Sequence, residues 1–163
     1  LEGLIRLFKE NPNRWENERM VHYDFFRLLF KEFPPEEIRD RFRWEYPVGV
    51  PSYGTGTKEA SVDLALMTSE QRWTAVEIEL VGAGQVFRQE LRKCVMKLKS
   101  APRCKKHMLK GYIVPLLSRP KDGTARGYGK SYAAVCMKDL QLAKRLIGDS
   151  PIEIMLDGVL PLS

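Results

Sequence analysis

Asp63, Glu77 and Glu79 are the residues of this sequence whose types and spacing could do chemistry. Asp63 lies in an alternating segment, Ala60 to Met67, on the side opposite Val62, Leu64 and Leu66. Glu77 and Glu79 lie in a second one, Trp73 to Val81, opposite Val76, Ile78 and Leu80. Side chains alternate along a strand, so the two glutamates share one face, and a neighbouring strand can bring Asp63 beside them. Carboxylates this close repel and raise one another's pKa, which makes sense chiefly if a divalent cation sits among them. An all-oxygen donor set suits Mg²⁺ or Mn²⁺. The plainer alternative is a solvent-facing strand with ordinary polar-out glutamates, as an isolated antiparallel hairpin would have.

The elements that must position these residues follow from the apolar pattern. Arg14 to Phe33 carries Val21, Phe25, Leu28 and Leu29 at helical spacing, and Pro34-Pro35 stops it. Phe42 to Val50 is rich in aromatic and β-branched residues, and the Gly/Pro/Ser/Thr cluster from Pro51 to Thr57 reads as a hairpin loop to the next strand. The turn Thr68 to Arg72 makes the two acidic strands an antiparallel pair. Gly82-Ala83-Gly84 breaks the second, and Phe87, Leu91, Cys94, Val95 and Leu98 form one stripe of a helix ending near Pro102. Gly111 to Leu117 is a buried strand reached by a crossover, hence parallel. A Gly-rich loop from Lys121 to Lys130, a helix from Lys138 to Ile147 closed by Gly148, and a last strand with Ile152, Ile154 and Leu156 complete the order. The crossover implies helices on both faces of the sheet, so the acidic face is expected to be partly covered. On the first helix, Glu18 projects between Phe25 and Leu29, inside the apolar stripe. A carboxylate there needs a partner: the metal site, or an ion pair with Arg43 or His22.

Charge points the same way. Lys plus Arg exceed Asp plus Glu by 27 to 21, a net +6, and no acidic residue falls between Leu91 and Lys121. Lys93, Lys97, Lys99, Lys105 and Lys106 lie in that stretch, which reads as a phosphate-binding footprint or as a solvated helix face followed by a basic loop. Three cysteines without a CxxC pair argue against a disulfide framework, and Cys104 with His107 supplies too few ligands for structural zinc. Gly129-Lys130-Ser131 has the wrong spacing from Gly123 for a phosphate-binding P-loop. His22 and His107 read as a helix-packing and a surface residue. The expectation is one α/β domain over residues 1–163, with no membrane span and no export leader, in the cytoplasm. A chain that starts at Leu1 without Met fits an excised domain or a processed product.

Ser61-Val62-Asp63, thirteen intervening residues, then Glu77-Ile78-Glu79, within a helix, three strands, helix, strand order from about Glu18 to Leu117, resembles the PD-(D/E)XK nuclease superfamily. The resemblance implies a restriction-endonuclease-like core, a mixed sheet flanked by helices, that hydrolyses DNA phosphodiester bonds with Mg²⁺ or Mn²⁺. Asp63 and Glu77 would bind the metal with help from Glu18, and Asp63, Glu77 and Glu79 would form the catalytic set. Val62 stands where the family often has Pro, and Glu79 where it usually has the Lys that orients or deprotonates water. Glu79 as general base, or a basic residue of the following helix, Arg88 or Arg92, would make good that loss. A Gln of that helix often contacts DNA, which here would be Gln85 or Gln89. The partners implied are DNA, and a second copy or further domains of a longer chain. The competing reading is a nuclease-fold domain without activity that binds nucleic acid or a protein.

Overall fold

The computed structural model describes residues 1–11, 14–51, 59–68, 72–81, 85–104, 108–117 and 131–155. The chain runs α1 (Glu2–Glu10), α2 (Glu18–Glu32), α3 (Pro35–Arg41), β1 (Phe42–Pro51), β2 (Glu59–Met67), β3 (Trp73–Val81), α4 (Gln85–Cys104), β4 (Met108–Leu117), α5 (Ser131–Ile147) and β5 (Ile152–Ile154). The five strands form one sheet in the order β1-β2-β3-β4-β5. β1, β2 and β3 pair antiparallel, while β3–β4 and β4–β5 are parallel, the second crossover passing through α5. The α/β class, the antiparallel acidic pair and the parallel crossover thus all hold. Residues 12–13, 52–58, 69–71, 82–84, 105–107, 118–130 and 156–163, including Lys105, Lys106, His107, Gly123, Gly129-Lys130 and Leu156, lie outside the described residues.

Helices cover both faces of the sheet. One apolar core joins Leu4 and Phe8 of α1, Val21, Phe25 and Leu29 of α2 and Ile38 of α3 to Leu64, Val76, Ile78, Val114 and Leu116. The other joins Leu91, Val95 and Leu98 of α4 and Leu140, Ala143 and Ile147 of α5 to Val48, Val62, Trp73 and Ile113. Three helical boundaries differ from the sequence expectation. α2 begins at Glu18 and not Arg14, because Asn17 caps it, its side chain accepting from the Met20 amide at 3.2 Å. Pro34-Pro35 does end α2, yet Pro35 also opens α3, since a proline in the first turn forfeits only an amide that had no helical partner. α5 extends back to Ser131. Gly148 closes it with φ +56, the left-handed cap that glycine supplies without strain.

The larger correction concerns β2. Val62 packs into the α4 side while Leu64 packs into the α2 side, so the strand does not keep Val62, Leu64 and Leu66 on one face. Its partner does the same: Tyr46, paired with Val62, sits against the α4 core, and Trp44, paired with Leu64, against the α2 core. Between these two pairs lie Asp63 and Glu45, and Glu45 has φ 43, a left-handed backbone unusual for a residue with a side chain. The hairpin therefore swings from one face of the sheet to the other at this level. β2 pairs with β3 only from Leu64 to Met67.

Candidate functional site

Asp63 sits where β2 parts from β3, and its side chain takes over from the departing strand. Its Oδ2 accepts the Ile78 backbone amide at 2.6 Å, a ladder donor on β3 that β2 no longer meets. Across the same gap, the Lys97 ammonium of α4 donates to the Ser61 carbonyl oxygen at 2.9 Å. Two side chains thus satisfy backbone groups that the divergence of the strands would otherwise orphan.

On β3, Glu77 and Glu79 face α4, as their alternation with Val76, Ile78 and Leu80 predicts. Glu77 is 1% exposed, a depth at which a carboxylate requires a partner. Lys97 provides it: Nζ lies 2.9 Å from both carboxylate oxygens and donates a well-directed bond to Oε2. Glu77 Oε1 is left buried without a hydrogen bond. Glu79 accepts from the Cys94 thiol at 2.9 Å, and one donor atom from each of Glu77, Glu79 and Cys94 falls within a 4.8 Å group. A second such group joins Glu18, His22 and Asp63. There His22 Nε2, buried and without a hydrogen bond, lies 3.8 Å from Glu18 and 3.9 Å from Asp63, its ring edge-on to Trp44.

Glu18, Asp63, Glu77 and Glu79 are each pushed above the ordinary pKa. Burial is the first cause for Glu77, which stands well above the usual range, with Asp63 and Glu79 adding to the effect of depth. Glu79 is pushed up to about 7 by burial, against the lowering effect of the Cys94 thiol and with support from Glu18 and Asp63. Asp63 and Glu18 are raised by burial too, Asp63 less than it would be without the Ile78 amide. Burial acts to lower Lys97, but the charge and hydrogen bond of Glu77 outweigh it, and the ammonium is held. Burial likewise keeps the Cys94 thiol protonated, its pKa well raised. Four carboxyls with raised pKa values thus crowd this corner, and of them Glu77 holds the Lys97 ammonium.

Asp63, Glu77 and Glu79 therefore meet around one corner of the sheet, though in two groups, Asp63 with α2 and the glutamates with α4. Glu77 is not a member of the group that holds Asp63 and Glu18. Glu18 is also less deep than its place on the helix predicts, with 45% of its side chain exposed, because it occupies the first turn at the open end of α2. Arg43 does not pair with it but donates to the carbonyls of Arg39 and Phe42. His22, expected to be a packing residue, points into the site.

The basic residues of α4 divide by helical flank. Arg88 is turned toward α5, where it pairs with buried Asp139 at 2.7 Å, and Lys99 donates to the Leu146 carbonyl on the same side. Neither reaches the acidic site, so the expectation that Arg88 supplies the missing cation fails. Arg92, Lys93 and Gln89 are exposed, and Lys93 pairs with Glu90 at 2.6 Å. Gln85 opens α4, but its side chain lies outside the description. Lys97, expected on the phosphate-binding face, is instead largely enclosed in the site. Its signal in the sequence is its place one turn from Cys94 on the flank opposite Arg88 and Arg92, from which a long side chain can reach over apolar neighbours. No family model matches the chain, and a search of curated proteins finds no match.

Proposed function

We propose that the chain is a divalent-cation-dependent phosphodiesterase acting on DNA, of the restriction-endonuclease-like kind that its motif resembles. The observation that carries this reading is the meeting of Asp63, Glu77 and Glu79 with Lys97 at the point where β2 leaves β3. A merely structural ion pair would need Lys97 and Glu77 alone. Here further carboxyls crowd the same corner, and the deepest has an oxygen that faces the Lys97 ammonium at 2.9 Å but receives no hydrogen bond. That oxygen, together with the raised carboxyls, fits a site for a cation such as Mg²⁺ or Mn²⁺, held by Glu77 with Asp63, which leaves Glu79 free to act as a base. When bound, the cation would polarise the phosphate and make water more acidic.

The chain's own groups supply the rest. A base is most useful when its pKa lies near the working pH, and Glu79, pushed up to about 7, meets that condition for taking a proton from the attacking water. Lys97 restores, from the following helix, the positive charge that Glu79 displaces from the motif. It holds Glu77 in place and offers a donor to a phosphate oxygen. Glu18 and His22 stand at the open end of α2, able to position water beside Asp63. Asp63→Asn and Glu77→Gln should each reduce Mg²⁺- or Mn²⁺-dependent cleavage of a labelled DNA substrate by at least about a hundredfold. Cleavage at the parent rate in both variants would place the chemistry elsewhere.

A further inference from the structure

The outward face of α2 carries a pattern unlike the rest of the surface. At 100° per residue, Arg19, Met20, Tyr23, Arg27, Phe30 and Lys31 fall within one third of the helix circumference, opposite the buried stripe of Val21, Phe25 and Leu29. Tyr23 is 67% exposed and Phe30 56%, the most exposed large hydrophobic side chains described. Two such rings on one helix, each more than half exposed, give this face planar apolar surface that a partner with ring faces of its own would cover. Arg27 lies between them, one turn from each, and no carboxylate shares the arc.

Beside this face is a cleft of about 430 Å³ lined by Arg14, Trp15, Arg19, Met20, Tyr23 and Asp24. Its floor is a fixed arrangement: buried Asp24 accepts from Arg14 at 2.6 Å, Trp15 at 3.0 Å and Arg27 at 3.3 Å. The Arg14 hydrogen bond holds the Asp24 carboxyl below its usual range, so it is a settled anion with its charge met by two arginines. Arg19 and Lys31 remain, and the face as a whole is cationic. The cleft is large enough for a planar heterocycle.

We infer that the outer face of α2, with this cleft, holds single-stranded nucleic acid, the unpaired bases stacking on Tyr23 and Phe30 and the phosphates meeting Arg19 and Lys31. The complementarity is one of charge and of ring faces together. Polyanion alone would not call for exposed rings, and an apolar partner would not call for an acid-free cationic arc. A duplex keeps its bases stacked on each other, so only an unpaired strand offers them to the rings. Tyr23 and Phe30 are seven residues apart, about 10.5 Å along the helix axis, so two separate bases can be engaged at once. The inference rests on the phosphodiesterase reading for its choice of polymer, and it narrows that reading to substrates with a single-stranded portion.

The test is fluorescence anisotropy on the full chain in EDTA, with a labelled oligothymidylate single strand and a labelled duplex of equal length. The single strand should bind more tightly, and Tyr23→Ala and Phe30→Ala should each weaken it by roughly five- to a hundredfold, from the ordinary contribution of one stacked base, while duplex binding changes little. Both rings are exposed, so melting temperatures should match the parent and exclude a folding defect. Single-strand affinity unchanged in both variants overturns the inference, as it would if the face docks a protein. So does an equal loss for single strand and duplex. The two readings fail separately. Cation-dependent cutting with ring-independent binding sinks only this face. Ring-dependent binding without cutting under any divalent cation sinks only the phosphodiesterase.

Discussion

Glu79 sets how the molecule answers to pH. Its carboxyl is raised from an ordinary 4.5 to about 7, chiefly by burial, so the folded chain holds a proton that the unfolded chain has lost. Stability from this group is complete below about pH 4.5 and is lost as pH rises through about 7, a fall worth at most about 3 kcal/mol without a cation. Denaturant titrations in EDTA should therefore show stability declining from pH 5 to 8, and Glu79→Gln should flatten that decline. In single-turnover cleavage the same substitution should cost tenfold or more if Glu79 is the base. Lys97 gives a second prediction. Its replacement by Met leaves Glu77, 1% exposed, without its cation, and should destabilise by about 3 kcal/mol, near the lower end for a broken buried pair because Lys97 keeps 21% side-chain exposure. Adding Glu77→Gln to Lys97→Met should recover part of the loss in urea unfolding. Recovery of nothing would mean that Lys97 acts through its bond to the Ser61 carbonyl.

At the scale of elements, the bend of the β1–β2 hairpin brings the site together, and it has a local cost. Glu45 takes φ 43, where a residue with a side chain is strained by about 1 kcal/mol and glycine is not. Glu45→Gly should raise the unfolding free energy slightly, whereas Glu45→Val should lower it by more than about 1 kcal/mol; a neutral result for both would show that the backbone relaxes. This bend also marks the limit of what the sequence discloses. The strands, their pairing and the facing of Glu77 and Glu79 follow from period-two alternation, which is a local property. Val62 and Leu64 keep the alternating pattern while changing sides, because the hairpin itself turns over, and no local pattern reports a turn of the whole hairpin. Lys97 was hidden for a related reason. Its charge groups it with Lys93 and Lys99, but which flank of α4 faces β2 depends on how α4 lies across the sheet. The Arg88–Asp139 pair on the other flank joins residues 51 apart, beyond the reach of spacing.

For the molecule as a whole, net charge +6 and the exposed cations of α2 and α4 give a basic surface, while the acidic corner lies between the two helices. Among the described residues no helix is long and apolar enough to cross a membrane. The sheet has an apolar core on each face, and in principle such a layered molecule could lose one while keeping the other. The turned-over hairpin removes that freedom. Trp44 and Leu64 belong to one core, and Tyr46 and Val62, two residues along the same strands, to the other. Melting either core frees the hairpin and uncovers the second, so the two must be lost in one cooperative step. Calorimetry should give an unfolding enthalpy equal to the van't Hoff value, and Phe8→Ala in one core and Leu98→Ala in the other should lower the midpoint without splitting the transition. Two separate transitions would show that the hairpin does not couple the cores. The bend that gathers the carboxylates is then also what makes the fold a single thermodynamic unit.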